Sequence, residues 1–204
     1  MGTENKDEMQ DKILDAALKR FTRHSAAKTT MNEIAQDLHC SKAALYYYFP
    51  DKKSLHQAVL ERVADLYFEE MKQEAERDKP ATRNIFAMVA IRQEFVLRFN
   101  KLELFRIAQY SSQTFYEGMM NAKKREIAIF ESVIQKGIRN GEFAVDNPGE
   151  IAALLVQAMI GLRFTIPEAN GNNYDMLEEK DVKSIIRQQV ALAEIFVNGI
   201  MNRV

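Results

Sequence analysis

Residues 41–55 read SKAALYYYFPDKKSL, and how they fold decides the architecture of the chain. Tyr46, Tyr47 and Tyr48 are consecutive, and helix neighbours are offset by about 100°, so the three cannot share one face. Ser41 is a good N-cap, and Pro50 closes the segment because the residue before a proline avoids the helical region. With Leu45 pointing inward, Phe49 and Tyr48 fall at about +40° and −60° and bracket the core face. Tyr47 and Ala43 fall at about −160° and +160°, furthest out, with Tyr46 and Ala44 on the shoulders at about +100° and −100°. A short helix thus presents a tyrosine and two alanines to solvent or to a partner.

Immediately upstream, Thr30 and Glu33 form a T-x-x-E capping box, with Met31, Ile34 and Leu38 as the buried face of another short helix. The HCS stretch (39–41) makes a tight turn. Short helix, tight turn, short helix is the helix-turn-helix arrangement, whose second helix enters the DNA major groove. Small Ala43 and Ala44 permit close approach to a surface or a thymine methyl, and phenolic hydroxyls hydrogen-bond phosphates. Asp51 caps the next helix. Lys52 and Lys53 in its first turn oppose the macrodipole, so a phosphate docked there would make an anion site of them. From Lys12 to Arg62 nine basic residues outnumber five acidic ones, putting +4 in this segment of a chain whose net charge is −1. That is the charge distribution of a small nucleic-acid-binding module on a mildly acidic body.

Helical periodicity dominates the rest. Met9, Ile13, Ala16, Ala17 and Phe21 line a first helix over 9–24. Asp51 opens a long helix to about Arg77, and DKPAT (78–82) is the clearest break. Further helices fall at 82–99, 102–110, 113–139, 148–165 and 181–202, with a loop at Pro167 and EANGNNYD (168–175). The expected fold is all-α, about nine helices: an N-terminal three-helix DNA-binding domain over 6–66, its motif at 30–49, and a helical domain over 67–204. The longest apolar run, Ile151–Leu162, is too short to span a bilayer, and one cysteine, Cys40, precludes an intramolecular disulfide; a cytoplasmic protein with no membrane partner is expected. Cys40 reads as a small buried residue.

Residues 29–60, TTMNEIAQDLHCSKAALYYYFPDKKSLHQAVL, resemble the DNA-binding region of TetR-type transcriptional regulators, through Thr30, Ile34, Ala35, Ser41, Leu45, Tyr46, Tyr48, Phe49, Lys52 and Leu55. ILDAALKRF (13–21) matches the preceding helix of that pattern. His39 stands at the turn glycine, and Ser25–Ala26 replace a glycine-aromatic pair. The resemblance implies that Thr30, Ser41, Lys42, Tyr46, Tyr48 and Lys52 contact phosphates while Ala43, Ala44 and Tyr47 face bases. It also implies a repressor released from a palindromic operator by a small effector.

No histidine or cysteine occurs after His56, so a histidine- or cysteine-based triad or metal site is not expected there, nor an enzyme, a cofactor or a metal. Aromatic and methionine-rich helices suit an adaptable apolar cavity, with Met88, Phe95, Phe99, Phe105, Tyr110, Phe115 and Phe130 as lining candidates. Arg92, Arg98, Gln109 and Arg163 are polar groups able to orient a ligand, although salt bridges to nearby glutamates explain the arginines equally well. An alternative is a helical dimer whose effector is another protein. The helix over 148–165 is apolar almost all round. Paired with the last helix it reads as a homodimer interface, with Ile151, Leu155, Met159 and Leu162 facing Ile186, Val190, Ala193, Phe196, Val197 and Ile200. A two-fold dimer presents two reading heads to a palindromic duplex.

Overall fold

The computed structural model describes residues 2–99, 102, 113–162 and 179–202. Eight helices are present among them: α1 (Gly2–His24), α2 (Met31–Asp37), α3 (Lys42–Tyr48), α4 (Lys52–Glu76), α5 (Ala81–Phe99), α6 (Gln113–Arg139), α7 (Pro148–Gly161) and α8 (Glu179–Ile200). The expected helix at 102–110, apart from Leu102, and the loop at 167–175 lie outside the described residues. No strand occurs among those described; the one isolated bridge joins Phe143 to Met201. The described residues also include no helix long and apolar enough to cross a membrane.

Contacts divide the chain into two compact units, Met1–Asp65 with Arg98–Phe105, and Leu66–Leu97 with Arg106–Val204. The break at 78–82 separates α4 from α5, yet both of its sides belong to the second unit. The division falls within α4, a single helix that supplies residues to each.

In the first unit, Ile13, Ala17 and Phe21 of α1 are fully buried, as are Ile34, Leu45, Leu55 and Val59 of α2 to α4. α1 begins at Gly2, seven residues before the expected start at Met9. The extension is polar, so apolar periodicity could not mark it, and the Lys12–Glu8 pair (3.6 Å) across one turn supports it. Arg20 ties α1 to α2 through Glu33 (3.2 Å) and Asp37 (2.6 Å). Arg62 on α4 holds Asp11 (2.7 Å) and Asp15 (3.0 Å). The buried His56 ring meets Phe21 edge-on at 5.5 Å, and its Nε2 lies 2.8 Å from the Leu102 carbonyl oxygen.

The turns around α2 are backbone-strained. Ser25 (φ 68°) and His39 (φ 51°) both adopt the left-handed conformation in which a side chain is disfavoured. The His39 position was expected to need that conformation, because a glycine stands there in the pattern the segment resembles.

In the second unit, Met71, Ile85, Met88, Phe130, Ile134, Leu155, Met159, Ala193 and Val197 form one continuous core drawn from α4 to α8. The turn after α6 gathers three chain segments. The Glu142 carboxylate accepts from Ala81 N (2.9 Å) and Thr82 N (3.2 Å), closing the start of α5. Ala144 N donates to Ile200 O, and Asn202 N to Glu142 O, each at 2.9 Å. The Phe143 ring lies against Gly137, where a Cβ would come within 2.1 Å of it.

Candidate functional site

α3 is built as its sequence dictates. Ser41 accepts from Ala44 N (3.1 Å) at the N-terminus, and the helix ends at Tyr48. Leu45 and Phe49 are buried, whereas Tyr47 is 71% and Tyr46 40% exposed, with Tyr48 half-buried. Lys42 and Ala43 are exposed and Ala44 is half-buried. The helical offset of about 100° thus sorted the three tyrosines correctly. Tyr48 packs edge-on to Tyr47 at 5.2 Å, which limits the outermost ring's freedom.

Each outward tyrosine carries a cation. Lys42 Nζ lies 5.6 Å from the Tyr46 ring centre and Lys6 Nζ 5.4 Å from that of Tyr47. Lys6 belongs to the unexpected N-terminal part of α1. No motif pointed to it; the strong helix formers between residues 4 and 10 were the available signal.

Thr30 makes the full capping box: its Oγ1 accepts from Glu33 N (3.3 Å), while Thr30 N donates to Glu33 Oε2 (2.7 Å). Its hydroxyl proton also goes to Glu33 (2.8 Å), so Thr30 acts in this structure as a cap. The Thr30 amide, then its hydroxyl, hold the Glu33 carboxyl below its ordinary pKa.

Lys52, expected to contact a phosphate, is engaged within the chain in this structure. Its ammonium donates to the carbonyl oxygens of Ala26 (3.0 Å), Thr29 (3.1 Å) and Ala27 (3.3 Å), in the loop between α1 and α2. An ammonium has three protons, and three carbonyls engage it. Backbone amides in the first turn of α4 are also engaged, Asp51 Oδ1 accepting from Ser54 N at 2.7 Å. Those amide bonds hold the Asp51 carboxyl below its ordinary pKa. The N-terminus of α4 therefore carries its own anion, and the exposed Lys53 is the cation left at that end. Cys40, expected to be buried, is half-buried.

The residues proposed to line a cavity belong, where described, partly to each unit. Met88 and Phe130 are fully buried in the core of the second unit. Phe99 is buried in the first, where with Arg98, Asp15, Lys19 and Arg23 it borders a cleft of about 280 Å³. Phe105, Gln109, Tyr110 and Arg163 lie outside the described residues, as does the Phe115 side chain.

Arg92 does sit in a polar cluster, and Phe95 lies beside it. Arg92 on α5 pairs through Nη1 with Oε1 of Glu126 on α6, and the Tyr67 hydroxyl on α4 donates to the same oxygen at 2.6 Å. Burial works against the Arg92 charge, but the Glu126 carboxylate more than offsets it and the pKa lies above its ordinary value. Burial, followed by the Glu126 charge, pushes the Tyr67 phenol well up. Tyr67 also packs against Phe68 (5.1 Å) and Phe95 (5.2 Å), and Arg125 lies over the Phe68 ring at 4.1 Å. Glu126 and Tyr67 had not been singled out from sequence.

Half of the expected dimer face is internal. Leu155, Met159, Ala193, Val197 and Ile200 are buried in their own unit's core. Ile151, Leu162, Ile186 and Phe196 are half-buried, and Val190 is exposed. The strongly exposed apolar residues of α7 and α8 are Leu154 and Ile195, 60% and 72% accessible.

Comparison with known proteins gives this geometry a family. Residues 13–59 match the model of the bacterial regulatory proteins of the tetR family, and residues 64–201 match that of the QacR-like C-terminal region. The chain belongs to the TetR family of transcriptional regulators. It is 22% identical to the HTH-type transcriptional regulator QacR of Staphylococcus aureus (strain Mu50 / ATCC 700699), over 94% of this chain and 98% of that one. A crystal structure of a transcriptional regulator from Cytophaga hutchinsonii ATCC 33406 superposes with a TM-score of 0.84 at 31% identity, covering 93% of this chain and 97% of the other. The fold also matches that of a putative transcriptional regulator from Saccharomonospora viridis solved in complex with choline (TM-score 0.70, 20% identity, 97% and 100% covered). TetR-family proteins are regulators, not enzymes.

Proposed function

We propose that this TetR-family regulator is a cytoplasmic repressor that binds a roughly palindromic operator as a homodimer and leaves it when a small effector occupies the second unit. The observation that carries the DNA half is the exposure of Tyr47, 71%, at the outermost point of a second helix flanked by Lys42 and an accessible Ala43. On a helix that enters the major groove, this outermost aromatic stands where a base edge would be. Ser41, whose oxygen already caps the helix, keeps its hydroxyl proton to donate to a phosphate. With Lys42, Tyr46, Tyr48 and Lys53 it forms the positioning set, to which Lys6 is added; Ala43, Ala44 and Tyr47 form the reading set. Few of these offer base-edge hydrogen bonds, so DNA shape and apolar contact carry much of the readout.

The effector half rests on the buried polar cluster of Tyr67, Arg92 and Glu126 in the second unit; the choline complex of a protein of the same fold is an example of a bound small molecule, not a guide to the charge of this one. Homodimerisation is assigned to the outward faces of α7 and α8, around Leu154, Val190 and Ile195. The test is selection of bound fragments from random duplex DNA, followed by salt titration of the variants. Lys42→Ala should weaken all sequences alike and reduce the salt slope by about one, whereas Tyr47→Ala should change the preferred sequence. Failure to select any duplex, or an unaltered preference in Tyr47→Ala, would overturn the reading.

A further inference from the structure

Three helices of the second unit each send one polar side chain to a common point. Tyr67 comes from α4, Arg92 from α5 and Glu126 from α6, and all converge on Glu126 Oε1. The Arg92 and Glu126 side chains are only 10% and 6% exposed. A buried ion pair that served stability alone would have every proton satisfied, because each unpaired buried donor forfeits the solvation it had in water. Among the described residues, Arg92 Nε is buried and has no hydrogen-bond partner. The phenol proton is committed to Glu126, and burial holds the phenol protonated far into the alkaline range. Glu126 is already met by a guanidinium and a hydroxyl, so it offers an incoming cation no unpaired charge.

We propose that the effector is an apolar molecule bearing one oxygen acceptor, neutral or anionic, that receives the Arg92 Nε proton, and that this cluster selects against cations. This rests on the reading of the second unit as effector-binding. The surroundings suit such a molecule. Phe95 and Tyr67 are half-buried, stack edge-on at 5.2 Å and offer apolar area beside the polar point. Aromatic walls with a few placed polar groups are the usual make-up of a small-molecule site.

The test uses the full-length protein and a matched probe set: naphthalene, biphenyl and octyl bodies, each bare or carrying a methyl ketone, a carboxylate or a trimethylammonium group. Thermal shift should show stabilisation by ketone or carboxylate members and none by their bare or trimethylammonium counterparts. Arg92→Lys, which keeps a charge for Glu126 but lacks Nε, should weaken the binding members about tenfold or more. Should that variant fail to fold, the wild-type Arg92 Nε–H resonance, followed by nitrogen-15 NMR, should move on adding a ketone probe. Equal stabilisation by trimethylammonium or bare members, an unmoved Nε–H resonance, or no binding by any member overturns the proposal. Probes that bind through Arg92 but leave operator binding intact support it and remove the effector reading instead.

Discussion

The Lys52 ammonium sits 3.0 Å from the carbonyl oxygen of Ala26, with the Thr29 carbonyl at 3.1 Å. One side chain at the start of α4 thereby fixes the loop that delivers α2. Hydrogen bonds from a charged donor contribute about 1.5–3 kcal/mol when sheltered, and Lys52 is half-buried. Lys52→Met is therefore expected to lower stability by about 1–2 kcal/mol in urea unfolding. Its effect on the salt slope of DNA binding should be small. The opposite pattern, unchanged stability with a flattened slope, would place this ammonium on a phosphate.

His39 holds φ at 51° while its side chain is exposed. Glycine adopts that conformation without the Cβ clash, at the cost of a more disordered unfolded chain. His39→Gly should be stabilising by up to about 1 kcal/mol, read as a rise in Tm. A fall in Tm would show that the imidazole contributes more than the strain removes.

Gly137 is the reverse case. A Cβ there would lie 2.1 Å from the Phe143 ring and 3.0 Å from Ala81 Cβ. Gly137→Ala should therefore destabilise by about 1–3 kcal/mol through overpacking, although alanine is the better helix former. Denaturation midpoints of the two proteins decide the matter, and a gain for alanine would show that the Phe143 ring yields freely.

Glu142 closes the N-terminus of α5 from 61 residues away. Burial raises its pKa, but the bonds from the Ala81 and Thr82 amides outweigh this and the net shift is downward. A carboxylate with a depressed folded pKa contributes its stability above its unfolded value, near 4.5, and loses it as pH falls through the lower folded value. Glu142→Gln should cost about 0.5–2 kcal/mol at neutral pH, as a lost cap does. The gap between wild type and variant should narrow as the pH drops below about 4.5. A gap independent of pH would mean that charge plays no part in the cap.

Leu154 and Leu155 are neighbours with opposite roles, 60% and 1% exposed. Leu154→Glu should leave the helical signal intact and shift sedimentation from dimer to monomer, with loss of tight operator binding. Leu155→Glu should unfold the second unit, since it buries a charge in the core. Sedimentation of a folded Leu154→Glu dimer would remove α7's outer face from the interface.

What the residues disclosed follows from the range over which each signal acts. The α2 capping box, the Ser41 cap and the sorting of Tyr46, Tyr47 and Tyr48 are set within one or two turns, and all were readable. The start of α1 was not, because residues 2–8 carry no apolar stripe. The carbonyl partners of Lys52 were not readable because they lie 23 to 26 positions away, and spacing alone shows a lysine at a helix start. α7 defeated periodicity for another reason: a helix apolar nearly all round shows no preferred side, so Leu155 was placed on the partner face and Leu154 was not. The Glu126 cluster needed three helices to be brought together before any of its members stood out.

The turn after α6 has a consequence for synthesis. Its Glu142 carboxylate reaches back to Ala81, while Ala144 and the Glu142 carbonyl bind Ile200 and Asn202 ahead. These bonds join segments about 60 residues apart in both directions, so little of the turn's hydrogen bonding can form while the chain is short. On the ribosome, α5 and α6 emerge well before the partner that completes them. Until Ile200 leaves the exit tunnel, Leu155, Val156 and Met159 have no α8 to cover them and stay open to chaperones or to one another.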